Sequence, residues 1–183
     1  MDDDRERFTV LFERHYPDVL RYASRRIDPD QARDVAAETF LVAWRRFEEV
    51  PSEADEVLPW LYSVARNTLA NQQRGDRRRT RLGARLKAAP QRMTGADHAG
   101  PVVESLWLRE AMATLSAKDR EALQLVGWEE LDVTSAATVV GCSPSTFAVR
   151  LHRARRRLDR ALAERGGQEA GAHRQPAMKE ARS

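Results

Sequence analysis

The chain has 183 residues, 42% hydrophobic and 32% charged, with 31 basic against 28 acidic side chains and a formal net charge of +3. That length allows one medium domain or two small ones, and a modest apolar share beside so much charge favours small domains with a large surface. A single cysteine, Cys142, excludes an internal disulfide framework and a multi-cysteine zinc site, and no apolar run approaches a membrane span.

The opening Met1-Asp2-Asp3-Asp4 is acidic where a signal peptide is basic, so a soluble, cytoplasmic protein is expected. From Phe8 to Ile27, apolar residues recur at three- and four-residue steps (Phe8, Leu11, Phe12, Tyr16, Val19, Leu20, Ala23), which predicts a helix with one buried face. Asp28 is placed to cap a second helix, with Pro29 at its first position and Asp30 near the positive end of its dipole. Its predicted buried stripe is Ala32, Val35, Ala36, Phe40, Ala43, Trp44 and Phe47. An acid-rich loop follows from Glu48 to Pro59. A third helix is predicted from about Trp60, with Leu61, Val64, Ala65 and Leu69 inward. Beyond Ala70 the apolar pattern stops, and Asn71, Gln72, Gln73, Arg74, Arg77, Arg78 and Arg79 follow. A helix polar all round is either solvated or bound to something polar, and this end reads as a binding surface.

Gly75, Gly83, Gly95, Gly100, Pro90 and Pro101 then mark a linker rich in basic residues. A second domain begins near Glu104, with Leu108, Ala111, Met112 and Leu115 inward, and Ser116 with Asp119 forms a capping-box pattern for a helix ending near Trp128. A short helix spans about Thr134 to Val140, a turn falls at Gly141, and a last helix runs from Pro144 to about Glu164. The expected fold is all-α: helical domains at residues 5–79 and 104–165, a flexible linker at 80–103 and a disordered tail at 166–183.

The segment from Asp132 to Leu162 has the makings of a helix-turn-helix. Ala137 is small where helices cross, Gly141 suits a turn that side chains resist, and Ser143 with Pro144 opens the next helix. Phe147, Leu151, Ala154, Leu158 and Ala161 anchor that helix, while its other faces carry arginine. Only Lys87, Lys118 and Lys179 are lysine; every other basic residue is arginine, whose planar fork fits phosphates and base edges. The amino-terminal part of such a helix enters the major groove, which makes Ser145, Thr146, Ala148, Val149, Arg150 and Arg153 the base-edge candidates and Arg157 a phosphate contact.

Nothing in the sequence calls for catalysis. His15, His98, His152 and His173 are scattered without metal-ligand spacing, and neither a phosphate-cradling glycine loop nor a nucleophile elbow occurs. No cofactor, no metal and no enzymatic activity are expected.

The stretch from Asp28 to Trp44 resembles the core-polymerase-binding helix of extracytoplasmic-function (ECF) sigma factors, within the sigma-70 family of bacterial RNA polymerase subunits. Leu58 to Asn67 is similar to the start of their minus-ten recognition helix, and Thr146 to Arg155 to their minus-thirty-five recognition helix. The three segments keep the family's order and spacing between about Phe8 and Ala163. The resemblance implies promoter recognition, DNA melting and initiation at a restricted set of promoters in stress response, with core RNA polymerase and promoter DNA as partners. It implies that the surface around Asp34, Glu38, Phe40, Leu41 and Arg45 meets the clamp of the largest subunit, with Phe40 and Trp44 themselves packed in the core. The second domain would meet the flap of the second-largest subunit. The third helix would meet the minus-ten region through Arg66, Asn67, Asn71, Arg74, Arg77 and Arg78, with Tyr62 offering a ring to unpaired bases. The free protein would be a monomer, without membrane insertion, and an anti-sigma factor is a further candidate partner. Ala37, Asn71, Ala148 and Val149 depart from residues common in the family and leave the promoter letters open. The alternative is a conventional dimeric helix-turn-helix regulator.

Overall fold

A computed structural model describes residues 2–83 and 102–172, and side chains at 3–75 and 107–164. Among the described residues all regular structure is helical: α1 (Asp2–Ser24), α2 (Pro29–Arg45), a short 3-10 turn (Phe47–Glu49), α3 (Ala54–Gly83), α4 (Val102–Thr114), α5 (Ala117–Gly127), α6 (Val133–Val140) and α7 (Pro144–Ala172). No described helix is long and apolar enough to cross a membrane. The helices fall into two compact units, one holding α1–α3 with the segment Leu131–Pro144, the other holding α4, α5 and α7.

In the first unit the apolar stripes of α1, α2 and α3 supply one core. Val19, Tyr22 and Ala23 meet the buried set Ala32, Val35, Ala36, Phe40 and Ala43 of α2 and Leu61, Tyr62, Ala65 and Leu69 of α3. The Tyr22 and Tyr62 rings stack with centroids 4.7 Å apart, and the Arg26 guanidinium lies 3.6 Å from the Tyr22 centroid. Such ring pairs contribute about 0.5–1.5 kcal/mol beyond their buried area. Asp28 caps α2 as its position predicts, its carboxylate accepting the Gln31 N–H at 3.1 Å.

The second unit is built on Ala111, Met112 and Leu115, Ala122 and Leu125, and Phe147, Leu151 and Ala154. Arg120 secures the end of α4, donating to the carbonyls of Met112 (2.9 Å), Ala113 (3.1 Å) and Leu115 (3.1 Å), where the ladder of helical i+4 bonds runs out. Ser116 caps α5, accepting the Asp119 N–H at 3.2 Å.

Several expectations need correction. The loop before α3 is shorter than predicted, because α3 starts at Ala54 and holds Pro59 inside it, with Asp55 and Glu56 in its first turn near the positive end of the dipole. The helix also continues past Gly75 to Gly83, into the stretch read as linker. Likewise α7 continues through Gly166 and Gly167 to Ala172, where a disordered tail is expected; residues 84–101 and 173–183 lie outside the described set. Trp44 is 44% exposed, not core, and Leu108, expected inward, is 41% exposed.

Candidate functional site

Three helices present polar or charged faces opposite buried ones. On α2, Asp34, Glu38, Leu41 and Arg45 follow the i, i+4, i+7, i+11 register of one helical face, and all four are exposed. Phe40 is 3% exposed and belongs to the core. It therefore shapes this surface from beneath rather than standing on it, as expected of a core residue. Beside the stripe lies an aromatic cluster that periodicity assigned to the interior: Phe8 meets Trp44 at 4.9 Å and Phe47 at 5.9 Å edge-to-face, and Arg7 lies 5.4 Å from the Phe47 centroid. With Phe12 38% and Leu41 41% exposed, this flank is apolar and open. The acidic turn that follows is internally paired, with Arg46 donating to both carboxylate oxygens of Glu49. That pairing holds the Glu49 carboxyl below its usual range and raises the Arg46 guanidinium.

On α3, Asn67, Asn71 and Arg74 share one exposed face, and Arg74 donates to the Asn71 side-chain carbonyl. Arg66 is half-buried on a neighbouring face. The backbone at Arg77 and Arg78 continues α3, and their side chains lie outside the described set. Tyr62 is 1% exposed and stacked on Tyr22, so it offers no ring to a base in this structure, against expectation. Trp60 is half-buried.

The turn before α7 is made by Gly141, at φ +71° and ψ +46°, a left-handed conformation that side chains resist. Its N–H donates to the Thr138 carbonyl at 3.2 Å and the Cys142 N–H to the Ala137 carbonyl at 3.1 Å, the paired bonds of a Schellman ending. Asp132 caps α6 through the Ser135 N–H at 2.7 Å, a bond that holds the Asp132 carboxyl below its usual range.

From Pro144, α7 divides cleanly. Phe147, Leu151 and Ala154 are buried on one side. On the flank beside it, Ser145, Thr146, Val149, Arg150, Arg153 and Arg157 line a single groove together with Asp119 of α5. Ala148 is exposed outside that groove. Asp119, absent from the predicted set, is 5% exposed and accepts from both the Ser116 hydroxyl, at 2.8 Å, and the Arg157 guanidinium. Local pattern had marked Asp119 only as part of a capping box. An open groove lined by hydroxyls, a valine and arginine forks suits the edges and phosphates of duplex DNA.

Residues 11–79 match the Sigma-70 region 2 family and residues 105–158 the Sigma-70, region 4 family. The ECF RNA polymerase sigma factor SigL of Mycobacterium tuberculosis is 32% identical over 158 residues, covering 86% of this chain and 89% of that protein. SigC of the same species, another ECF RNA polymerase sigma factor, is 33% identical over 143 residues, covering 75% and 74%. The fold is similar to the sigma factor RpoE of Bartonella quintana, solved with the anti-sigma factor NepR (TM-score 0.67, 24% identity, 86% of this chain and 98% of that one). It is also similar to CnrH, solved with the cytosolic domain of CnrY (TM-score 0.57, 22% identity, 87% and 90%). Both matched regions and the curated relatives are those of transcription initiation factors, not enzymes, and they lend nothing to a free-standing dimeric regulator. With both regions matched in order and a relative aligned along nearly its whole length, the chain belongs to the ECF sigma factors of the sigma-70 family, which direct RNA polymerase to promoters.

Proposed function

We propose that the three faces divide the work of initiation: the α2 stripe docks on polymerase, the α3 face captures the opening minus-ten region, and the α7 groove reads the minus-thirty-five element. On α2, Asp34, Glu38, Leu41 and Arg45 meet the clamp of the largest subunit, with the Phe12 and Trp44 flank supplying apolar contact. The second unit meets the flap of the second-largest subunit. On α3, the amides of Asn67 and Asn71 pair with base edges while Arg66, Arg74, Arg77 and Arg78 hold the backbone of parted strands. On α7, Ser145, Thr146, Val149, Arg150 and Arg153 face bases, with Ala148 at the margin. The free protein is a monomer in the cytoplasm, and an anti-sigma protein would silence it by covering the exposed α2 stripe.

The single observation that carries this reading is the division of α7 into a fully buried apolar side and an open, arginine-lined groove. The test is run-off transcription with purified bacterial core polymerase on candidate promoters, joined to DNase footprinting. Transcripts are expected only when the chain is added, with upstream protection lost in Arg150→Ala and Arg153→Ala. Failure of the chain to associate with core polymerase would overturn the proposal.

A further inference from the structure

The Asp119 carboxylate is the one acidic group lining the α7 groove, and it is almost wholly covered. A covered carboxylate is tolerated where its oxygens are paired, and here Oδ2 accepts from the Ser116 hydroxyl and from Arg157 Nη1. The Asp119 side chain is 7% exposed and the Arg157 side chain 57%. The bond joins the first turn of α5 to a point well along α7, across 38 positions of sequence. The groove runs along a flank of α7, beside the face that carries the apolar anchors Phe147, Leu151 and Ala154. Burial of the apolar stripe holds the helix down and limits its rolling, but the hydrophobic effect is non-directional, so it sets the roll less sharply than a directional bond does. A lateral, charge-assisted hydrogen bond off that stripe does fix the roll. The leverage is large: a roll of about 20° carries a side-chain tip at a radius of about 5–6 Å through about 2 Å, enough to break a base contact.

From this we infer that Asp119 and Arg157 form a positioning pair that sets the axial rotation of the DNA-reading helix, and that Arg157 is spent on this bond rather than on a phosphate. Asp119 thereby decides how Ser145, Thr146, Val149, Arg150 and Arg153 face the bases without touching DNA itself. The inference rests on the proposed reading of α7 as the DNA-facing helix.

The experiment uses holoenzyme assembled from the full chain and core polymerase. Binding is compared on a promoter fragment and on the same fragment with its upstream element scrambled, across a potassium chloride titration. Asp119→Asn and Arg157→Gln are each expected to lower selectivity for the intact element by about tenfold, near the lower end of what one well-made base contact discriminates, with the salt slope unchanged. Arg157→Lys restores most of the selectivity, since an ammonium still pairs with the carboxylate. Arg153→Gln serves as the contact control and lowers the slope by about one if it meets a phosphate, or selectivity if it meets a base. A fall in slope by about one for Arg157→Gln, with selectivity intact, would make Arg157 a phosphate contact and overturn the inference, as would unchanged selectivity in both pair variants. If Arg153→Gln moves neither quantity, the reading of α7 fails first. Should Asp119→Asn lose its helical signal, Arg157→Gln, a change at a half-exposed side chain, decides alone.

Discussion

The two arginine-bearing helices, α3 and α7, hold their functional residues in different ways. On α7 the anchors Phe147, Leu151 and Ala154 run beside Ser145, Thr146, Val149 and Arg153, so each exposed residue has a buried neighbour within a turn. Among the described side chains of α3 the last buried one is Leu69, and none from Ala70 to Gly75 is buried, so Asn71 and Arg74 stand beyond that packing. The difference matches what each is proposed to meet. A closed duplex presents base edges at fixed positions and rewards a helix whose rotation is fixed. Parted strands move, and a surface of amides and arginines that reaches past its own core can follow them.

The sharpest way to break this comparison is to remove an anchor. Phe147→Ala should cost about 3–5 kcal/mol, because Phe147 is fully buried and leaves a ring-sized cavity. Against a total stability of about 5–15 kcal/mol that loss is large, and thermal unfolding followed by circular dichroism should show it as a lower Tm. If Phe147→Ala costs less than 1 kcal/mol by that measurement, α7 is not held as described.

A smaller effect separates the two DNA-facing roles. Arg153→Ala should weaken holoenzyme binding by about 1–3 kcal/mol if the contact is bidentate, and the loss should appear in the closed complex, as missing upstream protection. Asn71→Ala should leave that protection intact and instead reduce permanganate reactivity of unpaired thymines. Equal effects of both substitutions at both stages would erase the division between α3 and α7.

How far the sequence discloses all this depends on the distance over which each feature is made. The buried face of α2, the Asp28 cap and the Gly141 turn arise within a few residues, and pattern alone places them. The same local logic misplaces Trp44, because a stripe of period 3.6 does not say how wide the buried zone is; Ala32, Val35, Ala36, Phe40 and Ala43 already fill it. Tyr62 looked available to bases because its partner Tyr22 lies on another helix. Pro59 and Gly75 read as boundaries because each disfavours a helix, yet neither stops α3. The charge of Arg157 is visible in sequence, whereas its bond to Asp119, 38 positions away, is not.

The glycines give a paired test of about 1 kcal/mol with opposite signs. A Cβ added at Gly141 or at Gly75 would meet nothing within 4 Å, so backbone conformation decides both outcomes. Gly141→Ala forces a side chain into the left-handed region and should destabilise by about 1–2 kcal/mol. Gly75→Ala, inside α3, should stabilise by about 0.5–1 kcal/mol. Urea midpoints that move in the same direction would contradict the continuity of α3.

The subtlest expected effect is a slope with pH in the unit that holds α3. His15 is 9% exposed on α1, and its Nδ1 has no hydrogen-bond partner. Burial lowers its pKa below the ordinary 6.5, Arg14 lowers it further, and Asp18 opposes them. The unfolded chain therefore takes up the proton first as pH falls. The contribution of neutral His15 to stability is fully present above about pH 6.5 and is lost as pH drops below that, toward the lower folded value. Urea unfolding at pH 7.5 and pH 5.5 should show wild type losing more stability between the two than His15→Gln, which has no proton to take up. Equal losses in both proteins would mean that solvent reaches the imidazole in the folded chain.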